Sequence, residues 1–317
     1  MLIRKSCLRI ISIDKPKGWT SFDVVRFVKR QFQENKVGHL GTLDPMATGV
    51  LPVFLGQATR LIPLFNNVDK TYRAICKFGE STDTYDAEGT VTRTLDPSFL
   101  NTQEVTKAVY SFLGQQEQQT PAFSATKVKG VPAYKLARKG MKVPVKIRTV
   151  TFHELKVESV ELPFVQFKVH CSKGTYIRTL VNDLGLLLKV GAHLTSLERL
   201  ACGAWFHSDN SVTIEQLKQM ESDPDVPWIS PLKLLNHLYT VSATSQMLTD
   251  IKHGRRVEVP EPPDTEKNTK KYAEYEFSAE LKQILTKVLD SDHNLVAIGY
   301  LMWENDDCYF QPSKVFI

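Results

Sequence analysis

Apolar and polar positions change period several times along the chain, and each change marks an element. Residues 8–14, LRIISID, predict a short opening strand, ended by the turn chemistry of Lys15-Pro16-Lys17-Gly18. Thr20-Ser21-Phe22-Asp23 has the spacing of a capping box. In the helix it starts, Val25, Val28 and Phe32 fall on one face, while Arg26, Lys29 and Arg30 share another. From Val37 to Thr48 neither period holds, which predicts a glycine-punctuated loop running into the apolar stretch Val50–Leu55. Tyr72, Ala74, Cys76 and Phe78 then alternate with Arg73, Ile75 and Lys77, the pattern of a half-buried strand. Val105, Ala108, Val109 and Phe112 mark a helix closed by Gly114.

Val150–Val160 and Val165–Cys171 alternate like two strands around Pro163, and Thr175–Lys189 predicts a helix ending before Gly191. Strands and helices mix without a regular βαβ repeat, favouring an α+β fold over a doubly wound parallel sheet. A boundary is expected near residues 228–240, after the proline-rich DPDVPWISP. Beyond it lie a charged, proline-rich patch from Glu258 to Glu276, expected as a loop, and two strands, Leu295–Trp303 and Tyr309–Phe316. That end predicts a small, mainly β second domain.

Composition narrows the class of protein. With 317 residues, 42% of them hydrophobic and 24% charged, the chain has a core large enough for two domains. No apolar run reaches the roughly 18 residues of a membrane span, and the N-terminus lacks the pattern of a signal peptide. The five cysteines are scattered without CxxC pairs, arguing against zinc or a disulfide framework and for a reducing cytoplasm. A net charge of +5 says little, but its distribution says more. From Gln118 to His153 there is no acidic residue, while Lys127, Lys129, Lys135, Arg138, Lys139, Lys142, Lys146 and Arg148 are all basic. That asymmetry favours a polyanion contact over an exposed lysine-rich loop with no partner.

Candidate chemistry centres on GHLGTLDPMATGVLP at 38–52. Its glycines allow tight turns and close approach to a ligand. Asp44 is the only acid between Glu34 and Asp69, so a basic group from elsewhere would be needed to hold it ionised. A lone carboxylate on such a loop is a candidate nucleophile, and equally an ordinary Asp-Pro turn. The histidines show no metal-ligand spacing, and His170 and His193 are expected to be structural. No second carboxylate motif accompanies Asp44, which disfavours a glycoside hydrolase.

This stretch closely resembles the signature of the TruB family of tRNA pseudouridine synthases. Further matches follow in the family's order: KPKGWTSFDVV at 15–25, DKTYRA at 69–74, FGESTDTYDAEG at 78–89, PAFSATKVKGVPAYKLARKG at 121–140, CSKGTYIRTLVNDLG at 171–185 and GAHLTSLERL at 191–200. The resemblance implies a pseudouridine-synthase catalytic domain over residues 1–235, with a mixed, mostly antiparallel sheet and an RNA-contacting thumb insertion at about 120–148. The C-terminal end, DHNLVAIGYLMWENDDCYFQPSKVF at 292–316, resembles the last strands of a PUA-type domain and implies a PUA-like RNA-binding domain over 236–317. The reaction so implied is isomerisation of uridine 55 in the T-loop of tRNA, without cofactor or metal.

By the same resemblance Asp44 is the catalytic aspartate, Tyr72 the active-site tyrosine and Arg178 the arginine that pairs with Asp44. Tyr176 and Leu197, the latter expected on a helix, line the base pocket, and His39 helps hold the target nucleotide out of its stack. Lys15, Lys17, Lys127, Lys129, Lys135 and Arg138 are expected to contact phosphates, joined by Arg26, Lys29 and Arg30. The implied partner is the T-stem-loop of tRNA, for a monomer with no obligate protein partner, in the cytoplasm. Two alternatives stand beside this reading: a guide-RNA-dependent synthase of the dyskerin type, and a tRNA chaperone that needs no chemistry.

Overall fold

The computed structural model describes residues 8–124, 127–128, 130–137, 139–141, 143–144, 146–220, 225–260, 283–304 and 307–317, and of Lys127, Pro132 and Tyr134 the backbone only. The chain divides into two compact units. One is Ile11–Val53 with Leu61–Val226; the other is Pro227–Ile317 with Phe54–Arg60 and the stretch ending at Ile10.

In the first, β1 (Arg9–Lys15) leads to α1 (Ser21–Gln31). The Thr20 hydroxyl accepts from the Asp23 N–H at 3.1 Å and the Asp23 carboxylate accepts from the Thr20 N–H at 2.9 Å, completing the capping box. Val24, Val25 and Val28 form the buried face of α1, and Phe32 follows as its half-buried C-cap. A short strand, β2 (Val37–His39), then pairs with β3 (Thr48–Leu55), where a continuous loop was expected. Three residues are too few to show a period. In β4 (Lys70–Phe78) burial alternates strictly, with Tyr72, Ala74, Cys76 and Phe78 inward as the sequence predicts.

After the hairpin β5 (Glu80–Thr82) and β6 (Val91–Thr94), α2 (Thr102–Tyr110) buries Val105, Ala108 and Val109. Ser111 caps it, so Gly114, with φ +91°, opens β7 (Gly114–Gln119) rather than closing the helix. The basic region contributes β8 (Lys127–Val128), β9 (Val131–Pro132) and the short α3 (Ala133–Ala137). Long strands β10 (Ile147–Glu161) and β11 (Phe164–Cys171) form a hairpin, followed by α4 (Ile177–Leu187) and β12 (Ala192–Cys202). β13 (Phe206–His207), β14 (Val212–Thr213) and α5 (Ile214–Gln219) complete the unit.

Among the described residues ten strands make one sheet in the order β14-β1-β3-β12-β4-β11-β10-β7, with β13 on β12 and β2 on β3. β12 is parallel to β3, and β1 to β14; β12–β4, β4–β11, β11–β10 and β10–β7 are antiparallel. This is the mixed, mostly antiparallel sheet of an α+β fold. Val105 and Val109 of α2 and Leu180, Val181 and Leu184 of α4 pack with Ala74, Cys76, Phe152 and Phe167 of the sheet in a continuous core.

The second unit contains α6 (Pro231–Leu234), β15 (Tyr239–Ser242), α7 (Ser245–Lys252), β16 (Val257–Glu258), β17 (Gln283–Leu289), β18 (Leu295–Glu304) and β19 (Asp307–Val315). Its sheet runs β15-β17-β18-β19-β16, over a core of Ile251, Val288, Val296 and Phe310. The compact division falls at Val226–Pro227, earlier than residue 235. The buried Lys287 ammonium donates to the carbonyls of Leu235 at 2.8 Å and Leu238 at 2.9 Å, tying the segment that follows α6 to β17. The charged patch 258–276 lies outside the described residues from 261 onward. No helix among the described residues is long and apolar enough to cross a membrane.

Candidate active site

Asp44 sits on a loop that lacks regular structure but is pinned on every side. Leu43, Met46 and Ala47, its close neighbours in sequence, are buried in the main core. The Ser21 hydroxyl, at the start of α1, accepts from the Leu43 N–H at 2.9 Å and donates to the Leu43 carbonyl at 3.2 Å. The Pro45 carbonyl accepts from the Gly18 N–H at 2.8 Å and from the Lys15 ammonium at 3.3 Å, and the Ala47 N–H closes a turn onto the Asp44 carbonyl at 3.1 Å. Side-chain and backbone bonds therefore replace periodicity as the source of order.

The Asp44 carboxylate meets Arg178, from the first turn of α4, at 3.1 Å. Arg178 is buried, and its guanidinium also lies 3.4 Å from Asp86 and donates to the Phe123 carbonyl at 2.8 Å. Asp86 is itself buried and fixed: its Oδ1 accepts from the Thr84 hydroxyl at 2.6 Å and the Glu88 N–H at 3.1 Å. Burial pushes the Asp44 carboxyl above its ordinary value; the Arg178 charge pulls it down, the Asp86 charge adds to the rise, and Lys15 opposes it. Arg178 thus orients Asp44 without cancelling the cost of its setting.

A cleft of about 750 Å³ opens in front of this pair. Its walls include Asp44, Tyr72, Tyr176, Arg178, Leu197 and Arg199, so five of the residues expected at the base pocket or the reacting centre converge there. Tyr72 is buried on β4, which pushes its phenol up to about 12, against the lowering influence of the adjacent Arg199. Tyr176, the N-cap of α4, is held by Gln118, whose side chain accepts from its N–H at 2.7 Å and donates to its carbonyl at 3.0 Å. Leu197 is on strand β12, opposite Ala74, and not on a helix: pairing to β4 on one side and β3 on the other holds this segment extended. Chemically, the arrangement offers one accessible carboxylate, a fixed cation behind it, and a neutral phenol in the same cleft.

Comparison with known proteins decides the family. A profile described as "TruB family pseudouridylate synthase (N terminal domain)" matches residues 29–177, and one described as "tRNA pseudouridylate synthase B C-terminal domain" matches residues 178–234. The chain is 37% identical over 309 residues to the tRNA pseudouridine synthase B of Clostridium kluyveri, covering 97% of this chain and 99% of that protein. To the Geobacter sulfurreducens protein of the same name it is 44% identical over 246 residues, covering 77% and 81%. The chain belongs to the TruB family.

The fold agrees. The crystal structure of a Cbf5-Nop10-Gar1 complex contains a chain that matches this one with a TM-score of 0.69 at 24% identity, over 99% of this chain and 86% of that one. Within this TruB-family chain the remaining expected residues are dispersed. His39, on β2, is half-buried and does not line the cleft, its Nδ1 has no hydrogen-bond partner, and burial lowers its pKa.

Lys15 is a correction. Its side chain is fully buried, and its ammonium donates to the carbonyls of Pro16 at 3.0 Å, Trp19 at 2.6 Å and Pro45 at 3.3 Å. It ties the turn to the Asp44 loop and presents no charge to phosphates. Lys17 and Lys135 are exposed, as are Arg26, Lys29 and Arg30. Lys129 and Arg138 lie outside the described residues, as does the side chain of Lys127.

His193 is structural, buried with its Nδ1 3.1 Å from the Glu80 carbonyl. His170 is half-exposed, beside His153, and both face Asp69. Sequence reading missed Asp86 and Arg199 as parts of the site. Asp86 lies within the quoted FGESTDTYDAEG segment, and Arg199 within GAHLTSLERL, so each carried a signal.

Proposed function

We propose that this protein converts uridine 55 of the tRNA T-loop to pseudouridine, acting without a protein partner, in the cytoplasm. The observation that carries the reading is the Asp44 carboxylate, open to the cleft and oriented by the buried Arg178. The relatives' name, tRNA pseudouridine synthase B, supplies the RNA class.

In this reaction the C1′–N1 bond breaks, the base turns, and C5 bonds to C1′; C5 loses its proton and N1 gains one. A carboxylate serves such a step either by adding to the sugar or by stabilising positive charge at C1′ while a proton leaves C2′. Tyr72 and Leu197 form the surfaces against which the flipped base packs, and Tyr176 closes the pocket beside Arg178. Extruding the uridine costs a few kcal/mol, which contacts from exposed lysines and arginines to the RNA backbone offset. The second unit, a small β domain, acts as a PUA-like RNA contact.

Tritium release from a T-stem-loop RNA labelled at uridine C5 tests the reading directly. Release by the wild type and none by Asp44→Asn is the expected result. RNA binding without release by the wild type would reject this substrate and favour a guide-dependent or chaperone role.

A further inference from the structure

Arg199 is 1% exposed and is among the largest fully buried side chains of the protein. It stands where three strands meet: in the sheet register it lies opposite Gly49 of β3 on one side and Tyr72 of β4 on the other. Its Nε donates to the Val50 carbonyl at 2.6 Å and its Nη2 to the Gly41 carbonyl at 3.0 Å. One guanidinium therefore holds both ends of the segment that carries Asp44. Gly41, at φ +73°, makes room for it, since a Cβ there would come 3.1 Å from Nη1. On its other side Arg199 pairs in register with Tyr72, both line the same cleft, and its charge opposes the rise of the Tyr72 phenol.

Stability alone does not account for an arginine here. A buried charge is costly unless paired, and an apolar residue of similar volume is often as stable or more so. The charge of Arg199 also lowers the pKa of the buried Lys15 and Lys70, both cations in its neighbourhood. What an arginine supplies, and neither methionine nor lysine can, is a rigid planar fork that spans two carbonyls beside Tyr72.

We propose that Arg199 is a positioning residue for uridine isomerisation, fixing the Asp44 loop and the Tyr72 phenol relative to one another. The proposal rests on the assignment of Asp44 as the reacting carboxylate. Arg199 does not react; it sets the distance across which Asp44 meets C1′.

The test compares Arg199→Met, Arg199→Lys, Tyr72→Phe, the double variant Arg199→Met/Tyr72→Phe, and Asp44→Asn. Each is followed by single-turnover tritium release, RNA filter binding and thermal melting. Arg199→Met is expected to keep its RNA affinity within about threefold and to lose roughly 100-fold in rate, the scale of a 1 Å misplacement. Arg199→Lys keeps the charge but cannot bridge Gly41 and Val50, so its rate is expected to stay within about tenfold of Arg199→Met. Tyr72→Phe is expected to cost less in the Arg199→Met background than alone, because the two act as a unit.

A wild-type rate in Arg199→Met, full rescue by lysine, a loss confined to RNA affinity, or independent effects of the two substitutions would overturn the proposal. If Arg199→Met melts below the assay temperature, Arg199→Lys carries the rate comparison. Asp44→Asn separates the two levels: turnover by that variant rejects the carboxylate assignment itself. An inactive Asp44→Asn beside a fully active Arg199→Met rejects only the positioning role.

Discussion

The Arg178 guanidinium lies 3.1 Å from the Asp44 carboxylate and is the deeper of the two, its side chain 6% exposed against 39% for Asp44. The cation is built into the protein while the anion faces the cleft. Arg178 can be so placed because Asp86, equally buried, shares it at 3.4 Å. When substrate engages Asp44, Arg178 still has a counter-charge.

Asp86 should therefore matter to both folding and turnover. Removing one member of a buried ion pair typically costs about 3 kcal/mol, because the remaining charge is left without its partner. Asp86→Ala is expected to lose stability on that scale in urea denaturation. Asp86→Asn preserves the shape and the acceptor for Thr84, so it is expected to fold and to turn over more slowly. An Asp86→Asn enzyme with wild-type single-turnover rate would show that Arg178 needs only Asp44.

The acid limb of the rate should lie above the ordinary aspartate range. Asp44 must be ionised to act at C1′, and burial raises its pKa in the folded protein. Activity is thus lost, as pH falls, earlier than for an exposed aspartate. Removing the two neighbouring charges should shift this limb in opposite directions. Arg178→Met takes away a lowering influence and moves it up; Asp86→Asn takes away a raising one and moves it down. Residual single-turnover rates across pH read this out, and a common direction of shift would contradict the assignment.

Lys15 and Lys17, two residues apart, should behave as different kinds of lysine. Lys15→Met takes the ammonium away from the part-buried carbonyls of Pro16, Trp19 and Pro45, of which Pro45 keeps the Gly18 N–H, at a cost of about 1–3 kcal/mol. The salt dependence of RNA binding should be unchanged in that variant. Lys17 is exposed, and its reversal to glutamate is expected to reduce the salt slope by about one with little change in melting temperature. Equal salt slopes for Lys17→Glu and wild type would remove Lys17 from the RNA contact.

That pair shows where sequence reading stops. A lysine in a KPKG turn is read as solvated, because nothing local reveals that Pro45 lies within reach thirty positions on. Strand β4 and the capping box of α1 were legible because their order is local: a period of two, and a bond across three residues. Leu197 is on a strand and not on the expected helix; β-bulges on both sides of it break the period of two that marks a strand in sequence. Asp44, Tyr72 and Arg178 were legible only through the family resemblance, as their meeting joins segments far apart in the chain. Asp86 and Arg199 escaped since each acts through a neighbour and looks, in sequence, like one more surface charge.

Ionised Asp44 costs the fold stability. Its pKa is raised in the folded state, so folding disfavours the ionised form. The sign follows: above the unfolded-state value the ionised Asp44 subtracts from stability, and the penalty lifts as pH falls through the raised folded value and the group takes up its proton. Asparagine resembles the protonated form and bears no such penalty, while Arg178 keeps Asp86. Asp44→Asn is therefore expected to melt no lower than wild type at neutral pH, and any advantage should shrink in acid. Calorimetric melts at neutral pH and near the unfolded-state value measure both. A variant less stable than wild type at neutral pH would mean that pairing with Arg178 outweighs burial, and the acid limb of the rate should then fall back into the ordinary aspartate range.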